Sequence, residues 1–210
     1  RDLKALRSFE YSNLKVLRRL VCGNSVGRDC ASFKLSDMPQ LESVEVGEDC
    51  FTACERNDVH NAFASFSDLA AHVRTFAVAN CPRLVSITAG SGSFASFTTC
   101  SITACPLLQS LQFGEEETSD DYAYRSYAFL NCEKLELRVL PGLERVFFGH
   151  YAFYYCRSVV FEALPKLTSL SLGNYAFFSC PRLALRQVPE LTDFVTFDFA
   201  LFCCERVEAI

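Results

Sequence analysis

Twelve cysteines in a chain of 210 residues raise the first chemical question, because a thiol can act as nucleophile, metal ligand or redox partner. Cys50 and Cys54, followed by His60 and His72, supply the ligand types of a zinc site, but the two histidines are too far apart for the usual paired spacing. A cysteine nucleophile needs a histidine to take its proton, and the third histidine, His150, belongs to a repeated segment in which no thiol is distinguished from the others. The acidic run Glu115-Glu116-Glu117-Thr118-Ser119-Asp120-Asp121 has oxygen donors enough for calcium, yet lacks the glycine-turned loop of an EF-hand and reads as a solvated loop. No metal and no cofactor is expected.

Duplication argues against a special thiol. GHYAFYYC at 149–156 returns 24 positions later as GNYAFFSC at 173–180, so Cys156 and Cys180 hold equivalent places. Fixed-period similarity of this kind marks a stack of equivalent units. Counted from each recurring proline (Pro39, Pro82, Pro106, Pro141, Pro165, Pro189), the intervals are 43, 24, 35, 24 and 24. The two long ones are 24 plus an insertion. Leucine follows two places on in every unit, from Leu41 to Leu191. Apolar residues stand at five (Val44, Ile87, Leu111, Val146, Leu170, Phe194) and at seven (Val46, Ala89, Phe113, Phe148, Leu172). Period two predicts a short strand with one face inward. Glycine at place eight (Gly47, Gly90, Gly114, Gly149, Gly173) is expected to leave the strand through backbone angles closed to other residues. Phe51, Phe94, Phe129, Phe153 and Phe177 share place twelve. Cys54, Cys132, Cys156, Cys180 and Cys204 share place fifteen, with Phe97 in the same column and Cys30 in its earlier register. Alternation resumes at Cys100/Ile102, Leu135/Leu137, Val159/Phe161 and Leu183/Leu185, which predicts a second strand on the opposite side.

A 24-residue unit cannot bury its apolar face alone, but copies stacked about 4.8 Å apart form one continuous core. The expected fold is an α/β repeat solenoid, mostly β: a right-handed horseshoe of about 24-residue coils with one parallel sheet and a second short strand ladder, the hand following the crossover rule. One domain spans 1–210, with an irregular first repeat at 1–38, a helical insertion at 55–73 read from Val59, Phe63, Phe66, Leu69 and Val73 at helical spacing, and an acidic loop at 115–126. The chain starts at Arg1 and stops in mid-pattern, as a fragment of something longer would.

The segment from Leu167 to Cys180, L-x-S-L-x-L-G-x-Y-A-F-x-x-C, resembles the BspA-like leucine-rich repeats, a class found in bacterial and protist proteins and often at cell surfaces. The resemblance covers roughly residues 30–210. It implies protein recognition and carries no catalytic residues over. The regular proline, the many cysteines and the two insertions depart from the usual pattern.

Under this reading the thiols are core filling, since unpaired cysteine behaves as a small buried hydrophobe. Disulfides within the column are the alternative, because the rung spacing lies within bridging range. Outward strand residues stand at places four and six. The pairs Arg145/Phe147, Ser169/Ser171 and Asp193/Val195 form the candidate binding patch, because an outward aromatic beside arginine has the composition of an interface anchor. A column of aromatics at place ten (Tyr127, Tyr151, Tyr175, Phe199) either shields the corner or offers a sticky strip.

A net charge of −5 with no Lys/Arg run longer than two excludes the footprint of a nucleic-acid binder. No apolar run reaches the roughly 18 residues needed to span a bilayer. The expected function is a non-catalytic protein–protein interaction scaffold with an unidentified protein partner. The alternatives are a surface adhesin or antigen for a host or matrix ligand and, more remotely, a thiol- or metal-dependent enzyme. Inward thiols and the lack of any Asn-x-Ser/Thr lean toward a reducing compartment, while the resemblance admits the cell surface; compartment and oligomeric state stay open.

Overall fold

Every coil turns three corners and lays down two strands. The computed structural model describes residues 6–52, 73–115 and 127–209. Within them the chain forms β1 (Ser8–Ser12), β2 (Arg19–Cys22), β3 (Ser32–Ser36), β4 (Ser43–Val46), β5 (Thr75–Ala79), β6 (Ser86–Ala89), β7 (Thr99–Thr103) and β8 (Ser110–Phe113). Then come β9 (Lys134–Arg138), β10 (Arg145–Phe148), β11 (Ser158–Glu162), β12 (Ser169–Leu172), β13 (Arg182–Arg186), β14 (Asp193–Thr196) and β15 (Arg206–Ala209), with no helix among the described residues. The seven even-numbered strands form one parallel sheet and the eight odd-numbered strands the other. The odd sheet, opposite the leucine-bearing strands, has the longer strands, mostly of five residues against four.

Register follows the repeat. Val146 pairs with Leu170 and Leu170 with Phe194, while Ser43 pairs with Ser86 and Ser110 with Arg145, so both ladders step over the insertions. The helix expected at 55–73 and the acidic loop expected at 115–126 fall, apart from their end residues Val73 and Glu115, outside the described residues, as do Cys54, His60 and His72. The stretch from Lys15 to Met38 keeps the 24-residue spacing, with Arg19 pairing Ser43 and Leu20 pairing Val44. Its departures are single residues: Lys15 stands in the proline's place and Gly27 in the aromatic's. The Phe51 ring fills the space that a side chain at Gly27 would need.

Leu143, Leu167, Leu170, Cys156 and Cys180 are all fully buried, in one core that runs the length of the stack. The place-twelve phenylalanines form a continuous ladder. Phe94 and Phe129 stack at 4.9 Å, Phe129 and Phe153 at 5.1 Å, and Phe153 and Phe177 at 5.2 Å, with ring planes within 17° of parallel. Phe33 and Phe76 in the odd sheet stack likewise and meet Phe94 edge-on. Each such contact adds roughly 0.5–1.5 kcal/mol beyond area burial, which favours one residue type held in register.

The regular proline has a local cause. Leu84 N–H donates to Cys81 O, Leu108 to Cys105, Leu143 to Leu140 and Leu167 to Leu164, at 3.1–3.2 Å, closing a four-residue turn with proline second. That position wants the φ proline already has and needs no N–H donor.

Of the place-eight glycines Gly114 has the expected positive φ (91), and the other four differ in their reason. Gly47, Gly90, Gly149 and Gly173 do not have positive φ. Close approach of the coils demands Gly47, Gly90 and Gly173: a Cβ on Gly173 would lie 2.6 Å from Gly149 C and 2.7 Å from His150 N. Left-handed backbone is carried instead by non-glycine residues at places ten, twelve and twenty-two, among them Tyr175 (φ 60), Phe177 (φ 53), Asn80 (φ 55) and Val139 (φ 54). Each costs about 1 kcal/mol or more, offset by the ring stacking and by backbone bonds between coils such as Val139 N–H to Glu162 O at 3.0 Å.

Candidate functional site

Strands β10, β12 and β14 carry the candidate patch on the outer face of the even sheet. Arg145, Ser169 and Asp193 form one row across adjacent rungs, and Phe147, Ser171 and Val195 the next. Alternation along β10 and β12 turns Val146, Phe148, Leu170 and Leu172 into the core, so the partners between them must face out, whereas on the edge strand β14 Phe194, expected inward, is exposed as well. Arg145, Asp193 and Val195 are exposed; Phe147, Ser169 and Ser171 are half-buried. On the other side Arg145 is flanked by Ser110 and Phe147 by Gln112. The larger side chains therefore rise from a floor of small polar ones. Thr168 and Thr192 border the patch, and their hydroxyls donate to Glu144 O and Thr168 O, each at 3.2 Å.

Arg145 differs in its charge pairing from Arg19 on the same face and from most charged residues of the odd sheet. Arg19 grips Glu45 with two bonds of 3.0 and 2.6 Å on the same face near the other end. On the odd sheet Lys134 and Arg138 hold Glu136 (3.0 and 3.1 Å), Arg138 also pairs with Glu162, and Arg182 and Arg206 hold Glu208. The Arg182 guanidinium lowers the Glu208 carboxyl, and the Lys134 and Arg138 bonds lower that of Glu136 against its desolvation. Among the described residues Arg145 has neither an ion pair nor a side-chain hydrogen bond.

Most of the described thiols are buried, Cys203 being exposed. Cys30, Cys132, Cys156, Cys180 and Cys204 each donate to the carbonyl two residues on, at 3.0–3.4 Å, so the column fixes the entry to β3, β9, β11, β13 and β15. Cys50, a candidate zinc ligand by sequence, is buried and donates to Gly23 O at 2.8 Å. Burial pushes Cys180 up to about 12 and Cys22 up to about 11, away from thiolate chemistry. No group of metal-ligating side chains occurs among the described residues.

The place-ten aromatics have a second rail beside them, which reading that one column alone misses. Tyr151, Tyr175 and Phe199 stack at 4.7 and 4.8 Å, while Tyr154, Phe178 and Phe202 stack at 4.8 and 5.1 Å. The 24-residue spacing of Tyr154, Phe178 and Phe202 was the available signal. Ring faces within both rails cover one another, so from Tyr151 to Phe199 and from Tyr154 to Phe202 the strip presents edges, and the exposed end rings Phe199 and Phe202 offer a face. A sugar-stacking platform along the strip is therefore not what this geometry builds.

Residues 23–160 and 122–210 match the family model described as the BspA type leucine rich repeat region, in six copies. No curated protein and no solved structure matched the chain.

Proposed function

The chain belongs to the BspA-type leucine-rich-repeat family, which suggests a protein-interaction repeat scaffold and is typically non-catalytic, and from that premise we propose that the outer face of β10, β12 and β14 is the surface that holds a protein partner. The observation that carries this reading is the uncommitted guanidinium of Arg145 beside the half-buried Phe147 on a floor of serines. Arg19 on the same face, and Arg138, Arg182 and Arg206 on the odd sheet, already hold a carboxylate. A planar cation and an aromatic ring side by side form the kind of anchor on which protein interfaces concentrate their affinity. Arg145 calls for a carboxylate on the partner, while Asp193, two rungs away and so about 10 Å distant, calls for a cation. The patch thus favours a partner with an acidic and a basic group at that separation around an apolar centre.

No helix among the described residues is long and apolar enough to cross a membrane. The test is the exchange of Arg145 and Phe147 together for serine, compared with the unmodified chain in affinity capture followed by mass spectrometry. Proteins retained by the unmodified chain should be lost by the double variant at unchanged urea midpoint; retention of the same proteins would remove the patch.

A further inference from the structure

Cys81 and Cys105 occupy the same place in consecutive coils, each just before the exposed proline of its turn, Pro82 and Pro106. The strands leading into them are paired one rung apart, Ala79 with Thr103. Both thiols are fully buried and turned the same way, with Sγ 3.4 Å from the carbonyl two residues back, Ala79 O and Thr103 O. The two thiols are close enough to influence each other's proton affinity, lowering Cys81 and raising Cys105. Stacked side chains in a column run parallel, so the bridge forms when the two side chains turn from these carbonyls toward each other. Elsewhere the column holds Met38, Leu140, Leu164 and Val188, so each thiol has only the other within it. A rung spacing of about 4.8 Å lies inside the range that a disulfide spans.

We propose that Cys81 and Cys105 form a redox-convertible pair, which a hydroperoxide oxidises to a disulfide that staples two coils at the proline corner. The sulfur of Cys81 attacks one oxygen of hydrogen peroxide, forming S–O and breaking O–O; the displaced hydroxide takes the thiol proton and leaves as water. The sulfur of Cys105 then attacks the sulfenic sulfur of Cys81. The S–S bond forms, S–O breaks, and the Cys105 proton leaves with the hydroxyl as a second water. Each sulfur loses one electron and each peroxide oxygen gains one. Cys81 takes the first step because the neighbouring Cys105 lowers its thiol, while Cys81 and burial raise that of Cys105. Access requires only the turn closed by Leu84 N–H to Cys81 O (3.2 Å) to open, a local event beneath an exposed proline. The Cys132–Cys156 contact lies deeper, and burial raises Cys132 first of all.

The test treats the native chain with hydrogen peroxide, removes any dimers joined through the exposed Cys203 by sizing, blocks remaining thiols and maps linkages in a non-reducing tryptic digest. Cys81 lies in fragment 75–83, and Cys105 in fragment 84–125 together with Cys100. One linkage between these two fragments should appear, disappear with dithiothreitol, survive Cys100→Ala and vanish in Cys81→Ala and Cys105→Ala. Oxidation should also raise the melting temperature of the unmodified chain by about 5 °C, by closing a loop in the unfolded chain. The absence of that linkage, its loss in Cys100→Ala, or a preferred bridge between Cys132 and Cys156 would overturn the proposal.

Discussion

Cys156 and Cys180 stand one rung apart with their thiols turned the same way, donating to Ser158 O at 3.4 Å and Arg182 O at 3.3 Å. A thiol so placed fills space and ties the corner to the next strand at once. Alanine would do only the first. The column therefore needs no catalytic explanation, and its consequence is thermodynamic.

Alkali should unfold this protein early. In the unfolded chain each thiol returns to its ordinary value of 9.0, whereas burial holds Cys180 near about 12 and Cys22 near about 11 when folded. Between those values the unfolded chain releases protons that the folded chain keeps. The thiols' contribution is thus complete below pH 9 and is lost as pH rises through 11 to 12. Urea midpoints should be level from pH 7 to about 8.5 and then fall, by at most about 1.4 kcal/mol per pH unit for each buried thiol. Cys180→Ala should be less stable at pH 7 and show a shallower alkaline slope. A profile flat to pH 11 would show that the thiols are not held neutral by the fold.

Two glycines in one column should respond oppositely to a methyl group. At Gly173 an added Cβ would strike the backbone of Gly149 and His150 at 2.6 and 2.7 Å, and neither coil can retreat without breaking the ladder. Gly23, at the same place in an earlier coil, has nothing within 4 Å. Gly173→Ala should cost roughly 3 kcal/mol by forcing the coils apart, and Gly23→Ala should change stability by less than about 0.5 kcal/mol. Equal losses in urea titrations would mean that backbone freedom, and not close approach, selects glycine in this column.

The same contrast shows what a single sequence can reveal. Inward columns were legible because burial selects residue type directly: Leu143, Phe153 and Cys156 recur at fixed spacing since nothing polar fits there. The glycine column was visible, but its cause was not, because a spacing does not tell whether a missing side chain serves an angle or a contact. The left-handed places were hidden for the opposite reason. Asn13, Asp37 and Asn80 hint at one of them, but Ala104, Val139, Ala163 and Gln187 follow in the same column, and the coil imposes an angle their types do not announce. On the candidate face, the period predicted that Arg145 and Phe147 point outward. That Arg145 lacks a carboxylate while Arg19 holds Glu45 depends on side-chain reach between rungs and became visible only in three dimensions.

Val139 offers the sharpest test of that imposed angle. It is β-branched, 56% exposed and held at φ 54, where its side chain crowds its own backbone and buries little in return. Asn80 adopts φ 55 at the same place two coils earlier, and asparagine tolerates this region far better than valine. The bond from the residue 139 N–H to Glu162 O survives the exchange, because it is made by backbone. Val139→Asn should therefore stabilise the fold by about 1 kcal/mol, read as a higher urea midpoint at unchanged slope. Ala163→Asn, where the side chain replaced is small and unbranched, should gain less. A lower midpoint for Val139→Asn would mean that the valine side chain makes contacts worth more than the strain it brings.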